Sequence, residues 1–174
     1  MLDKNLTEKL ENIKLFAMDV DGTLTDGGMY YSVGGEELKR FSTRDGMGIT
    51  LLRKGGIKTL IITSEQSAIA KSRAEKLGID TVILGSKNKS EDLFSVAKDL
   101  SIEMAQIAYI GDDVNDEQVM KLCGFSACPN DAVGIIKNTV NFVSNFNGGY
   151  GAVREICDLI LVSQNKSINL NENW

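Results

Sequence analysis

The 174-residue chain contains no histidine. That absence excludes imidazole general bases, serine-histidine-aspartate triads and histidine-bound zinc, so acid-base chemistry falls to carboxylates, lysine, tyrosine or cysteine. Proline occurs once, and 17 glycines with 43% apolar and 25% charged residues suit a globular chain rather than a disordered or collagenous one. Cysteine is scarce: Cys123, Cys128 and Cys157 are odd in number, lack C-x-x-C spacing and sit among apolar neighbours. Reduced buried thiols and the lack of a basic-then-apolar leader predict a cytoplasmic protein. No apolar run is long enough to span a membrane. Nineteen basic residues against 24 acidic give a net charge of -5 with no Lys/Arg block, which argues against a nucleic-acid partner. The length suits a single domain over residues 1–174, with a packed core over about 13–162 and a polar tail at 164–174.

Apolar runs at residues 14–20, 58–63 and 106–110 read as buried strands, each stopping at a polar residue capable of chemistry. Helical stretches are expected at 45–54, 66–77 closed by Gly78, 90–100, and 114–122 closed by Gly124. A further series follows with strands at 124–127 and 140–143, a helix at 132–137 and a last helix at 151–162; 141–149 contains a loop. Alternation of this kind predicts a parallel α/β sheet. It is interrupted after the first strand, where residues 29–33 and 36–41 flank Gly34-Gly35 as strands flank a hairpin turn. Tyr30 and Tyr31 fall on opposite faces of that hairpin, one to pack and one to face solvent or a neighbouring subunit. Leu6, Leu10 and Ile13 have the spacing of a short packing helix.

Ligands of an open parallel sheet bind beyond the carboxyl ends of its strands. Asp19 and Asp21 leave the first strand with one residue between them, and Gly22 lets the chain turn at once. Asp112 and Asp113 close a later strand at the same rim, with Asp116 one turn beyond. So many carboxylates need a cation, and oxygen ligands without histidine or cysteine suit Mg²⁺. Thr63 ends another strand and supplies a hydroxyl, while Lys89 brings a positive charge to a helix start. Nucleophile, second carboxylate, hydroxyl, ammonium and metal are the inventory of phosphoryl transfer. Each residue also has a plainer reading: Asp113 and Asp116 as acids favoured at a helix start, Thr63 as a strand-end cap, Lys89 as a solvated lysine.

The segment Asp19-Val20-Asp21-Gly22-Thr23-Leu24-Thr25, then Thr63, Lys89 and Gly111-Asp112-Asp113-Val114-Asn115-Asp116 in that order, resembles the haloacid dehalogenase superfamily of phosphatases. The resemblance implies a three-layer Rossmann-like α/β fold with a β-hairpin insert after strand one and no cap domain. It makes Asp19 the nucleophile of an aspartyl phosphate and Asp21 the acid that protonates the leaving alkoxide and then activates water. Asp19, the backbone carbonyl of Asp21, and Asp112 would hold Mg²⁺, with Asp113 and Asp116 orienting them, and Thr63 and Lys89 would bind phosphate. Arg44-Asp45-Gly46, the hairpin and Gly148-Gly149-Tyr150-Gly151 are similar to the capless branch acting on 3-deoxy-2-keto sugar acids. Members of that branch form tetramers through their hairpins, so a homotetramer is expected.

Specificity is read from three positions. Ser64-Glu65 stands where octulosonate 8-phosphate phosphatases carry Gly-Arg, and Glu65 with Lys76 resembles the nonulosonate 9-phosphate relatives, so a nine-carbon acid (KDN-9-phosphate or N-acylneuraminate-9-phosphate) is expected. Arg44 favours the eight-carbon alternative, 3-deoxy-D-manno-octulosonate 8-phosphate. Two non-catalytic readings compete. A phosphorylation receiver would place its acid pair and phosphoacceptor on different strands, and an oligomerisation module of the kind fused to cytidylyltransferases usually loses the nucleophile, whereas Asp19 is retained.

Overall fold

The computed structural model describes residues 4–168. Of the expected tail, residues 169–174 lie outside the described residues. Six strands form one sheet in the order β5 (Thr81–Ile83), β4 (Lys58–Ile62), β1 (Leu15–Met18), β6 (Ile107–Ile110), β7 (Phe125–Cys128) and β8 (Phe142–Val143), every neighbouring pair parallel. Central β1 (Leu15–Met18) pairs with β4 (Lys58–Ile62) on one side and β6 (Ile107–Ile110) on the other. All four β1 residues are buried, as a continuous apolar run between two helical layers requires.

Alternation along the strands assigns the two faces. Phe16, Met18, Ile61 and Ile110 join a core with α1 (Lys4–Glu11), α2 (Thr43–Lys54), α3 (Ala68–Leu77) and α7 (Ala152–Ser163). Leu15, Ala17, Leu60, Ile62 and Tyr109 face α4 (Lys89–Leu100), α5 (Glu117–Leu122) and α6 (Gly134–Lys137). This is the three-layer α/β arrangement the sequence predicts, with no cap domain inserted after β1. Leu10 and Ile13 are buried in the first core, and Gln164 Nε2 donates to the carbonyls of both at 3.0 and 2.8 Å, pinning the end of α7 to the end of α1. Asp45, buried in α2, accepts from Gly151 N at 3.3 Å and Arg154 N at 2.8 Å and so caps α7 from a distance.

Four local expectations need correction. The strand β5 (Thr81–Ile83) is absent from the sequence reading; it is a three-residue, half-buried edge strand and too short to show a period. The hairpin pairs β2 (Tyr30–Ser32) with β3 (Gly35–Leu38), and Ser32 opposite Gly35 makes Val33-Gly34 the turn, not Gly34-Gly35. Tyr30 and Tyr31 are both exposed, neither being covered by another element among the described residues. The helix expected at 114–122 is a 3-10 turn at Val114–Asp116 followed by α5, and Cys123 rather than Gly124 caps it. Among the described residues no helix is long and apolar enough to cross a membrane.

Candidate active site

The chain reverses its direction of travel across the sheet at β1, so the carboxyl ends of β4, β1 and β6 open onto one crevice. Asp19, Thr63 and Asp112 follow those three strands. Asp19, Asp21, Thr63, Glu65, Asp112 and Asp113 all line the resulting cleft of about 330 Å³. Asp19 N donates to Ile110 O at 3.0 Å, which extends the β1–β6 ladder to the site itself. Gly22 then takes φ +80°, and a Cβ there would lie 2.0 Å from Asp112 Oδ2. Only glycine lets this loop pass so close to the opposing carboxylate. Gly148 backs the loop from behind: its added Cβ would meet Gly22 O at 1.8 Å, and Gly149 N donates to Thr23 O at 3.0 Å.

Lys89 is the first residue of α4, whose cap Asn88 accepts from Glu91 N at 3.3 Å. Its buried ammonium reaches Asp19 Oδ1 at 2.8 Å and Asp116 Oδ1 at 2.6 Å. Asp116, fully buried, also accepts from Tyr109 Oη at 2.7 Å, from Asp112 N at 3.1 Å and from Asp113 N at 3.4 Å. It therefore organises the rim and has no lone pair left over for an outside partner. Asp113 accepts from Val114 N at 2.7 Å, which is the cap reading of that residue. Thr63 Oγ1 accepts from Glu65 N at 3.3 Å, so the hydroxyl proton is left for an anion in the cleft.

Oxygens of Asp19, Asp112 and Asp116 lie within 4.8 Å of one another. Burial first, then the nearby Asp116 carboxylate, push both Asp19 and Asp112 up to about 7. Burial pulls Lys89 down, but Asp19 and Asp116 outweigh it and the net shift is upward. One ammonium thus faces three carboxylates. Lys89 takes one oxygen of Asp19, and Thr23 Oγ1 donates to one of Asp112 at 3.3 Å. Their second oxygens accept no hydrogen bond among the described residues, and the excess negative charge fits a hard divalent cation held by oxygen ligands.

The specificity residues separate. Glu65 is exposed at the cleft edge, whereas Lys76 is exposed nine residues beyond the Ser67 cap of α3, about 14 Å along the helix axis. There it lines a different groove, of about 460 Å³, with Phe41, Ser72 and Arg73. Arg44 is exposed on the first turn of α2 and lines neither space. Within one chain Glu65 and Lys76 line different spaces. Three contributors escape a sequence reading: Tyr109, Thr23 and Lys39, whose ammonium reaches Asp21 Oδ1 at 2.5 Å. Tyr109 alone carries a signal, since a tyrosine in an apolar buried strand needs a partner for its hydroxyl.

A haloacid dehalogenase-like hydrolase model matches residues 44–124, a stretch that holds Thr63, Lys89 and Asp112. The 3-deoxy-D-manno-octulosonate 8-phosphate phosphatase KdsC of Haemophilus influenzae is 41% identical over 162 residues, covering 93% of this chain and 90% of the relative. The corresponding phosphatase of Moraxella catarrhalis, solved in complex with magnesium ion, phosphate ion and KDO, superposes with a TM-score of 0.91 at 40% identity and covers 94% of each chain. That of Yersinia pestis gives 0.92 at 38% identity, over 95% of this chain and 89% of the other. With this likeness spanning nearly the whole chain, and the acids and threonine lining one cleft with Lys89 paired to Asp19, the chain belongs to the haloacid dehalogenase-like hydrolases, on their capless phosphatase branch.

Proposed function

We propose that the chain is a Mg²⁺-dependent phosphatase of 3-deoxy-D-manno-octulosonate 8-phosphate that works through an aspartyl phosphate on Asp19. The convergence of Asp19, Asp21, Thr63 and Asp112 on one crevice, with Lys89 paired to Asp19, carries the reaction class. In the first half-reaction a carboxylate oxygen of Asp19 attacks phosphorus, the ester P–O bond breaks, and Asp21 gives a proton to the departing alkoxide. In the second, Asp21 takes a proton from water as it attacks the aspartyl phosphate, releasing inorganic phosphate and restoring Asp19. Thr63 and Lys89 donate to the phosphoryl oxygens, while Asp116 holds Lys89 in place. Asp19, Asp112 and the carbonyl of Asp21 are the ligands we assign to Mg²⁺, which when bound neutralises charge on the transferring group.

The eight-carbon substrate is supported by the relatives named above, all three octulosonate 8-phosphate phosphatases covering most of this chain. The nine-carbon expectation rested on Glu65 and Lys76 acting together and finds no support in those relatives or in the separation of the two side chains. Purified protein is expected to favour octulosonate 8-phosphate over nonulosonate 9-phosphates by at least about tenfold in kcat/KM, roughly 1.4 kcal/mol. A preference of the same size for the nine-carbon ester would overturn the assignment. A homotetramer joined through the exposed hairpin, which presents Tyr30, Tyr31, Val33 and Leu38, and a cytoplasmic location complete the proposal.

Proton linkage gives a further expectation. Asp19 and Asp112 titrate near 7 in the metal-free fold and near 3.9 when unfolded, so the native state binds more protons between those values. The contribution of these two acids to the stability of the metal-free protein therefore falls as pH rises from about 4 to about 7. Magnesium needs the ionised carboxylates, so its increase in Tm is expected to be larger at about pH 8 than at about pH 5.5. Thermal melts in chelator and in excess MgCl₂ check this; an equal increase at both would remove these acids from the metal site.

A further inference from the structure

Lys39 follows the last residue of β3, and its side chain is fully shielded from solvent. The ammonium lies 2.5 Å from Asp21 Oδ1 and 2.7 Å from Glu36 Oε1, with Met29 Sδ at 3.3 Å. Glu36 Oε2 accepts from Ser67 Oγ at 2.5 Å, and Ser67 caps α3 by accepting from Ala70 N at 3.1 Å. A continuous run of charge-assisted hydrogen bonds thus joins the start of α3 to Asp21 by way of the hairpin. Such bonds are short and directional, and they fix the rotamer of a carboxylate that otherwise sits on a loop.

The other oxygen, Asp21 Oδ2, is buried and accepts no hydrogen bond. Orphaned buried carboxylate oxygens are rare in native structures, and this one belongs to a residue that lines the cleft. The asymmetry distinguishes the two oxygens of Asp21: Oδ1 is committed to Lys39, and Oδ2 has no protein donor.

We propose that Lys39 is a positioning residue for the reaction, holding Oδ1 of Asp21 so that Oδ2 is the oxygen that hands its proton to the bridging ester oxygen. Glu36 is the second support, because it holds the ammonium against Asp21. This inference rests on the phosphatase reading above, and the leaving group separates the two. The ratio kcat/KM covers the steps up to departure of the leaving group, before the aspartyl phosphate is hydrolysed. A sugar alkoxide needs protonation to leave; p-nitrophenolate does not.

The test compares kcat/KM of the wild-type protein, Lys39→Met and Glu36→Gln on octulosonate 8-phosphate and on p-nitrophenyl phosphate, with Mg²⁺ saturating. Lys39→Met is expected to lose about 100-fold on the sugar phosphate, the lower range for a general acid, and less than about fivefold on the aryl phosphate. Glu36→Gln, which keeps the ammonium, is expected to lose about tenfold on the sugar phosphate alone, and it carries the test if Lys39→Met does not fold. Losses of equal factor on both substrates, or none on either, would overturn the positioning role while the phosphatase reading stands. A wild-type protein that releases phosphate from neither ester would overturn both.

Discussion

Replacing Asp19 by Asn is expected to lower kcat by at least about 10⁴-fold while leaving the fold intact. The amide is nearly isosteric and its carbonyl oxygen can still accept from the Lys89 ammonium, which lies 2.8 Å from Asp19 Oδ1. What it lacks is a charged oxygen able to attack phosphorus. Stability is expected to move the other way. Burial and Asp116 push Asp19 up to about 7, so its ionised form is unfavourable in the metal-free protein at about pH 8, and the neutral amide removes that cost. Metal-free Asp19→Asn should melt no lower than wild type, and Mg²⁺ should stabilise it less. Loss of turnover without loss of fold distinguishes a missing nucleophile from a damaged site. If Asp19→Asn kept its turnover, or if beryllium fluoride formed its adduct elsewhere, the covalent route through Asp19 would be wrong.

The rim of this cleft is legible in the sequence because the signal there is local. An apolar run that stops at a polar residue capable of chemistry marks both the end of a buried strand and the residue placed at its mouth, and β1, β4 and β6 all carry that mark, Asp19, Thr63 and Asp112 standing at their ends. Turn register and edge strands were harder. Three residues of β5 carry no period, and the Val33-Gly34 turn differs by one residue from a Gly34-Gly35 turn that the glycines equally permit. The 3-10 turn at Val114–Asp116 depends on Asp116 folding back onto the N–H groups of Asp112 and Asp113, a tertiary preference set by Tyr109 and Lys89.

Long-range pairings were illegible for a different reason. Lys39 meets Asp21 across 18 residues, and Arg40 stacks 3.9 Å over the Tyr150 ring while donating to Gly149 O at 2.9 Å. Neither pair leaves a trace in spacing, since each depends on where the hairpin lies relative to the sheet. The placement of Glu65 and Lys76 is illegible on the same account. A helix carries residues eleven apart to well-separated places, and only Glu65 stays at the cleft.

Lys89→Met has the second large effect expected. The side chain is almost wholly buried between Asp19 and Asp116 and is the ammonium that faces the Asp19, Asp112 and Asp116 cluster. Removing one member of a buried ion pair leaves uncompensated charge and costs about 3–5 kcal/mol. For a chain of this size that lowers Tm by roughly 6–20 °C. Two conditions should restore part of the loss, each for a stated reason. Acidification protonates carboxylates whose native pKa rises further once the ammonium is gone, so the deficit relative to wild type shrinks as pH falls and grows as pH rises through about 7. Magnesium supplies a replacement cation to the same cluster, so its increase in Tm should be larger in the variant than in wild type at about pH 8. Turnover should stay at least about 10²-fold low even with Mg²⁺ saturating, because the metal restores charge balance but not the donor to the phosphoryl oxygens. Melts of both proteins across pH, with and without MgCl₂, decide the matter: a variant as stable as wild type throughout would mean that Lys89 is not what holds these acids together.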